Sequence, residues 1–215
     1  MTAPSVRDLT LQQFEDRIAS DAPTPGGGSL AAVTVSFAGA LLQMCLAITG
    51  KKRPGAAVTS LQDRTTELIV FCRGNADEDI AAFDSYLAAL RLPNTGEEEK
   101  TARDAALHSA LIECSRVPLE GASRALDLAD LAIQAEREVS TPVLSDLGTS
   151  LELLRAAAKS LLLNVETNMR SLNTRRQEDT ARLFDVYREV SARYLRLERS
   201  MAGALTQIAR RTREG

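Results

Sequence analysis

PTPGGGSLAAVTVSFAGALLQMCLAITGKK, running from Pro23 to Lys52, is the stretch whose reading decides the fold. No charged residue occurs from Ala22 through Gly50, so the segment is not an ordinary surface helix with one wet face. Its length satisfies the membrane-span rule of about 20 residues, yet Ser29, Thr34, Ser36, Gln43 and Thr49 dot it and no second such run follows. A helix over residues 29–49, buried in a bundle or at a subunit interface, fits better, and no membrane partner is expected. Pro23 and Pro25 restrict the approach to extended backbone. Gly26, Gly27 and Gly28 permit φ > 0 and leave bare N–H groups at the helix mouth, with Ser29 placed to cap it. Such a mouth suits an anion or a polar ligand, although a plain flexible loop has the same composition.

Working outward, an amphipathic helix is expected over residues 9–20. Pro54-Gly55 breaks the chain, and a long helix follows over 58–92 until Pro93-Asn94-Thr95-Gly96 stops it. Thr95 can cap the next helix, whose Glu97, Glu98 and Glu99 favour a positive N-terminus. It is expected to end near residue 115, with Pro118 opening another over 119–138. After Ser140-Thr141-Pro142, a helix runs from Ser145 or Asp146 to about 172, and a last one from 174 to 213. The last carries an apolar stripe (Leu183, Val186 or Tyr187, Val190, Tyr194, Leu197, Met201, Leu205, Ile208) that can pack internally or on a second subunit. No useful period-two alternation appears. The expectation is an all-α protein of six to eight helices in an up-and-down array around a buried apolar helix, forming one domain over 1–215.

Composition narrows the class. Hydrophobic residues make up 44%, charged residues 26%, and the net charge is −3, which disfavours nucleic acid as a partner. Cys45, Cys72 and Cys114 are odd in number and form no CxxC pair, so they read as reduced core thiols. The first twenty residues contain no apolar signal-like core, and a cytoplasmic location is expected. The single histidine, His108, cannot build a multi-histidine site, so no metal is expected.

Helical phase singles out Asp79. At 100° per residue it shares a face with Leu68, Cys72, Asn75 or Ala76, Phe83, Tyr86 and Leu90, whereas Asp77 points nearly opposite and Asp84 to the side. A carboxylate on an apolar face is either a paired or capping group, or a general acid/base with a raised pKa. A second constellation joins Ser145-Asp146, at a helix start, with Asn164 and Asn168, one turn apart in the run after Leu161. Such amides bind either a neighbouring backbone or a polar ring. Lys51, Lys52 and Arg53 complement the helix dipole at the end of the apolar segment or hold an anionic tail.

Four landmarks occur in order: Ala22 to Ser29, Gly50-Lys51-Lys52, Asp77 to Phe83 with Leu92-Pro93 after it, and Ser145-Asp146 leading to Asn164 and Asn168. Together the chain resembles the family of formiminotetrahydrofolate cyclodeaminases and methenyltetrahydrofolate cyclohydrolases over about residues 9–172. The resemblance implies an all-helical homodimer or larger assembly, a tetrahydrofolate derivative as substrate, no cofactor and no metal. It implies ring closure or opening at the N5–N10 one-carbon bridge, with Asp79 catalytic. Pro25, Gly26, Gly27, Gly28, Ser29, Ser145, Asp146, Asn164 and Asn168 would shape the pterin pocket, and Lys51 and Lys52 would meet the glutamyl tail. Two departures stand out. Arg53-Pro54-Gly55 follows the lysines in place of an aromatic, and Val139-Ser140 stands in place of Gly-Asn. A catalytically idle folate-binding or scaffold protein is the alternative that these departures suggest.

Overall fold

The computed structural model describes residues 4–172 and 178–214. Among them, seven α-helices and two 3-10 turns account for the regular structure, without a strand. The helices are α1 (Leu11–Ile18), α2 (Gly27–Lys52), α3 (Ala56–Cys72), α4 (Asn75–Leu90), α5 (Glu97–Ala135), α6 (Leu144–Leu172) and α7 (Glu178–Glu214). The 3-10 turns are Val6–Asp8 and Thr141–Val143. The expected start of the last helix at Thr174 lies outside the described residues.

α6 lies at the centre, packed against α2, α5 and α7. Its Leu144, Leu147, Leu151, Leu154, Leu161 and Leu172 are fully buried, as the 3.6-residue period of its leucines dictates. α2 runs antiparallel to α6. Near its start Gly27 faces Asn164; midway, Ser150 Oγ donates to the Ala38 carbonyl at 2.7 Å; near its end, the Ser140 N–H donates to Thr49 Oγ1 at 3.0 Å. α2 alone is long and apolar enough to cross a membrane among the described residues, but its inner face (Ala31, Val35, Ala38, Leu42, Cys45, Leu46) forms part of the bundle core. On its outer side Val33 packs with the N-terminal turn and α1, while Leu30, Phe37 and Met44 are exposed.

The stripe on α7 packs internally. Leu183, Val190, Tyr194, Met201 and Ile208 are all buried in the main core, and Arg193 binds Asp127 and Asp130 of α5 at 2.7 and 2.6 Å. Arg211, in the basic tail, donates to the Val139 carbonyl at 3.0 Å and pairs with Glu136, so this end ties down the α5–α6 connection as well as complementing its own dipole.

Three expected boundaries differ. The helix over 58–92 is two helices that bend at Arg73-Gly74; glycine weakens a helix interior by up to about 1 kcal/mol, and the bend lets α4 pack on both α2 and α5. Leu68 and Cys72 therefore belong to α3, while Asn75, Ala76, Asp79, Phe83 and Tyr86 share α4. Pro118 does not end its helix: α5 runs straight through it. A proline at this position removes the N–H that would bind the Cys114 carbonyl, and Asn168 Nδ2 from α6 donates to that oxygen instead, at 2.6 Å. Next to it, Asn75 Nδ2 donates to the Val117 carbonyl at 3.3 Å. Third, α2 starts two residues before Ser29, with Gly26 as N-cap and no side-chain cap.

Candidate active site

The absence of side chains at the start of α2 has a steric purpose. Among the described residues no glycine adopts a positive φ, so a left-handed turn is not what Gly26-Gly27-Gly28 provides. A Cβ on Gly28 would lie 2.4 and 2.7 Å from the two carboxylate oxygens of Asp79 and 2.8 Å from its Cγ. The missing side chain lets α4 bring Asp79 against the first turn of α2. There Ser29 Oγ donates to Asp79 Oδ2 at 2.8 Å, and the Ser29 backbone N–H donates to the same carboxylate. Ser29 is thus not the cap of its own helix; Asp79 caps that helix from outside. Burial pushes the Asp79 carboxyl above the ordinary aspartate range, and the two Ser29 hydrogen bonds pull it partly back.

Capping does not use up the carboxylate, because Asp79 also lines a cavity of about 330 Å³ with Pro23, Thr24, Gly26, Gly27, Gly28 and Asn164. Phe83, Cys114, Leu163, Thr167 and Asn168 complete its walls. Asn164 Nδ2 donates to the Ser160 carbonyl of its own helix at 2.9 Å, and Asn168 Nδ2 is committed to Cys114 as above. With both amide nitrogens engaged on backbone, each side chain has its carbonyl oxygen left as an acceptor. Cys114 is a buried thiol pushed up to about 11, mainly by burial and then by the Asp79 charge, so it forms a protonated wall and not a nucleophile. Two other hollows, an apolar cleft between α1, α2 and α4 and an alanine-lined groove between α4 and α5, do not include Asp79 in their walls. Among the described residues no three His, Cys, Asp or Glu side chains converge on a metal position.

Several expected site residues lie elsewhere. Asp77 does not face solvent: its carboxylate accepts from Ser5 Oγ at 2.6 Å and from the Val6 N–H at 2.8 Å, fastening the N-terminal turn to α4. Ser145 and Asp146 sit in the first turn of α6, about 27 Å along the helix from Asn164 at 1.5 Å per residue. Asp146 instead lies near Cys45, whose thiol it helps push up to about 12 after burial. Lys51 and Lys52 are exposed at the far end of α2, about 35 Å from Gly28 by the same rise. The constellation of Ser145-Asp146 with the Asn pair is therefore not assembled within one chain. Phe83, Cys114, Leu163 and Thr167 also line the cavity without a local signal in the sequence that marks them for it. Phe83, one turn after Asp79 on the same face, was the only one that helical phase had brought near it.

The family model for formiminotransferase-cyclodeaminase matches residues 10–182. The chain belongs to this family. A methenyltetrahydrofolate cyclohydrolase of Methylorubrum extorquens is 34% identical over 170 residues, covering 77% of this chain and 82% of that protein. A formimidoyltransferase-cyclodeaminase of Rattus norvegicus is 27% identical over 174 residues, 78% of this chain but only 32% of its own length. The crystal structure of formiminotetrahydrofolate cyclodeaminase from Thermotoga maritima superposes with a TM-score of 0.75 at 22% identity, covering 98% of both chains, which establishes the shared fold. The two places where this family member departs from the expected pattern are neighbours in space: Arg53 Nη2 donates to the Glu138 carbonyl at 2.7 Å, directly before buried Val139 and Ser140. An arginine after the lysines thus reaches across to the altered loop, far from the Asp79 cavity.

Proposed function

We propose that this protein is a folate one-carbon enzyme that hydrolyses 5,10-methenyltetrahydrofolate, with Asp79 as its general acid/base, acting as a homodimer or larger assembly. The observation that carries the reading is the Asp79 carboxylate, raised by burial and held by Ser29 on the wall of a cavity that also presents the Asn164 and Asn168 amides. The direction of reaction is supported by the cyclohydrolase relative, which is similar over most of its own length.

The chemistry follows from charge. The methenyl bridge is a cationic amidinium, and an ionised carboxylate beside it stabilises the cation. Water attacks the bridging carbon, forming a C–O bond; Asp79 takes one water proton and returns it to the departing nitrogen as the C–N bond breaks, and the second water proton passes to solvent as the hydroxyl becomes the formyl C=O. The product is the ring-opened N-formyl compound. The same group can serve cyclisation of the formimino compound, taking a proton from the attacking nitrogen and giving one to the departing ammonia. Phe83 and Leu163 supply apolar walls for a flat ring, while the Asn164 and Asn168 oxygens suit its N–H donors.

The deciding assay mixes purified protein with 5,10-methenyltetrahydrofolate and follows the methenyl absorbance. Decay faster than spontaneous hydrolysis supports the reading. Methenyl formation from the formimino compound without accelerated decay would assign cyclisation instead. Tight folate binding with neither reaction, unchanged by Asp79→Asn, would favour the idle binder that the two departures suggest.

A further inference from the structure

Asn75, the first residue of α4, is a buried amide outside the Asp79 cavity. It stands one turn before Asp79 on the same face of the helix. Its Nδ2 donates to the Val117 carbonyl of α5 at 3.3 Å. Burying an amide costs free energy even when it is bonded, so its place in the joint between α4 and α5 calls for a reason.

The joint repeats the device found at Asp79. A Cβ on Gly121 would lie 2.4 Å from Asn75 Oδ1 and 3.4 Å from its Cγ, and 3.2 Å from Leu161 Cδ1. Two successive side chains on one face of α4 therefore press into glycines of two different neighbours, Asp79 into Gly28 of α2 and Asn75 into Gly121 of α5. Little else sets α4 along its axis. The bend at Arg73-Gly74 ends α3 just before it, so α4 does not inherit its setting from a longer helix. Its other buried residues are Ala76, Ala82 and Ala89, whose non-directional contacts resist sliding weakly. Asn168 ties the α6 wall of the cavity to the Cys114 carbonyl, and Asn75 ties the α4 wall to the Val117 carbonyl three residues on.

We propose that Asn75 is a positioning residue for Asp79: seated on Gly121 and tethered to Val117, it fixes how far α4 slides and turns on α5, and so holds the carboxylate over Ser29. Movement of α4 towards α2 is blocked where Gly28 already meets the carboxylate. A displaced α4 slides or turns instead, and either motion draws Asp79 off the Ser29 hydroxyl and N–H that hold its pKa down. The titratable group facing Asp79 across the cavity is the Cys114 thiol of α5, while the walls from α2 and α6 carry no charge. That Asp79 performs the chemistry rests on the proposed function; its placement by Asn75 does not.

Gly121→Ala, Asn75→Ala and their double are compared with wild type by kcat and KM from methenyl decay. The ¹³C titration of the Asp79 carboxyl, assigned by its loss in Asp79→Asn, is followed in parallel. Gly121→Ala should lower kcat about tenfold and Asn75→Ala about fivefold, with KM held within about twofold. In both, the Asp79 titration and the acidic limb of kcat/KM should move to higher pH. Without the asparagine the added methyl has no amide to displace, so the double should match Asn75→Ala, whereas independent sites would multiply to about fiftyfold. A residue that merely holds the fold would lower the melting temperature and leave kcat and the Asp79 titration of the folded enzyme unchanged. That result in either single variant overturns the proposal, and one variant suffices if the other does not fold. A fiftyfold loss in the double also overturns it, since Leu161 and not Asn75 would then transmit the displacement. Shifted titrations in a protein whose wild type leaves the methenyl compound untouched would sink the proposed function and keep the positioning role.

Discussion

Replacing Gly28 by alanine probes the contact on which the site is built. In an unconstrained helix interior this change stabilises by about 1 kcal/mol; Gly203 in α7, where an added Cβ meets nothing within 4 Å, is the reference for that gain. At Gly28 the new methyl would sit 2.4 Å from one Asp79 oxygen and 2.8 Å from its Cγ, so the whole carboxylate must retreat by roughly 1 Å to reach ordinary van der Waals distance. The retreat breaks the hydrogen bonds from Ser29. Bonds to a charged group contribute about 1.5–3 kcal/mol, so the propensity gain is cancelled and a net loss of about 1–2 kcal/mol remains. Activity should fall further, since a displacement of about 1 Å costs on the order of 10²-fold. Urea melts of both glycine variants and kcat from methenyl decay measure the two quantities. A Gly28→Ala enzyme with wild-type kcat, and with the stability gain of Gly203→Ala, would refute the steric argument and the role of the Asp79 position together.

Asp79→Asn should lower kcat by about 10²–10⁴-fold and at the same time raise the melting temperature at pH 7. The sign follows from burial. The native carboxyl binds its proton more tightly than the unfolded chain, a contribution fully present below the unfolded pKa of about 4 and lost as pH rises through the native value. The amide cannot lose it, so its advantage in thermal melts should shrink to nothing below about pH 4. Ser29→Ala removes the hydroxyl donor that helps hold the Asp79 pKa down and leaves the backbone N–H, so the acidic limb of the kcat/KM profile should move to higher pH. Asp77→Asn should cost about 1–2 kcal/mol through its lost bonds to Ser5 and Val6 and speed proteolysis of the N-terminal turn, with kcat unchanged. Asp84→Asn, exposed on the same helix, should lie within about 0.5 kcal/mol of wild type.

Sequence alone determined the all-helical class and most helix ends, because an apolar period of 3.6 and punctuation by proline and glycine are local signals. It also isolated Asp79, since within α4 phase depends only on counting residues. At the local level the glycines of GGGS look like conformational freedom, whereas Gly28 serves by lacking a Cβ that would meet the Asp79 carboxylate, 51 positions away. Pro118 looked like a helix end for the same reason, because the amide of Asn168 that replaces its missing hydrogen bond comes from another helix. Nothing in a linear string shows that Asp77 holds the N-terminal turn or that Arg53 reaches the loop before Val139. Nor does the order of motifs reveal that Lys51, Lys52 and Asp146 lie at the opposite end of the bundle from Asp79; the antiparallel run of α2 on α6 sets that separation. Residue types and their periods decide which helices form and which faces turn inward. Only the packing of those helices decides which polar groups meet, because each such meeting joins residues far apart in the chain.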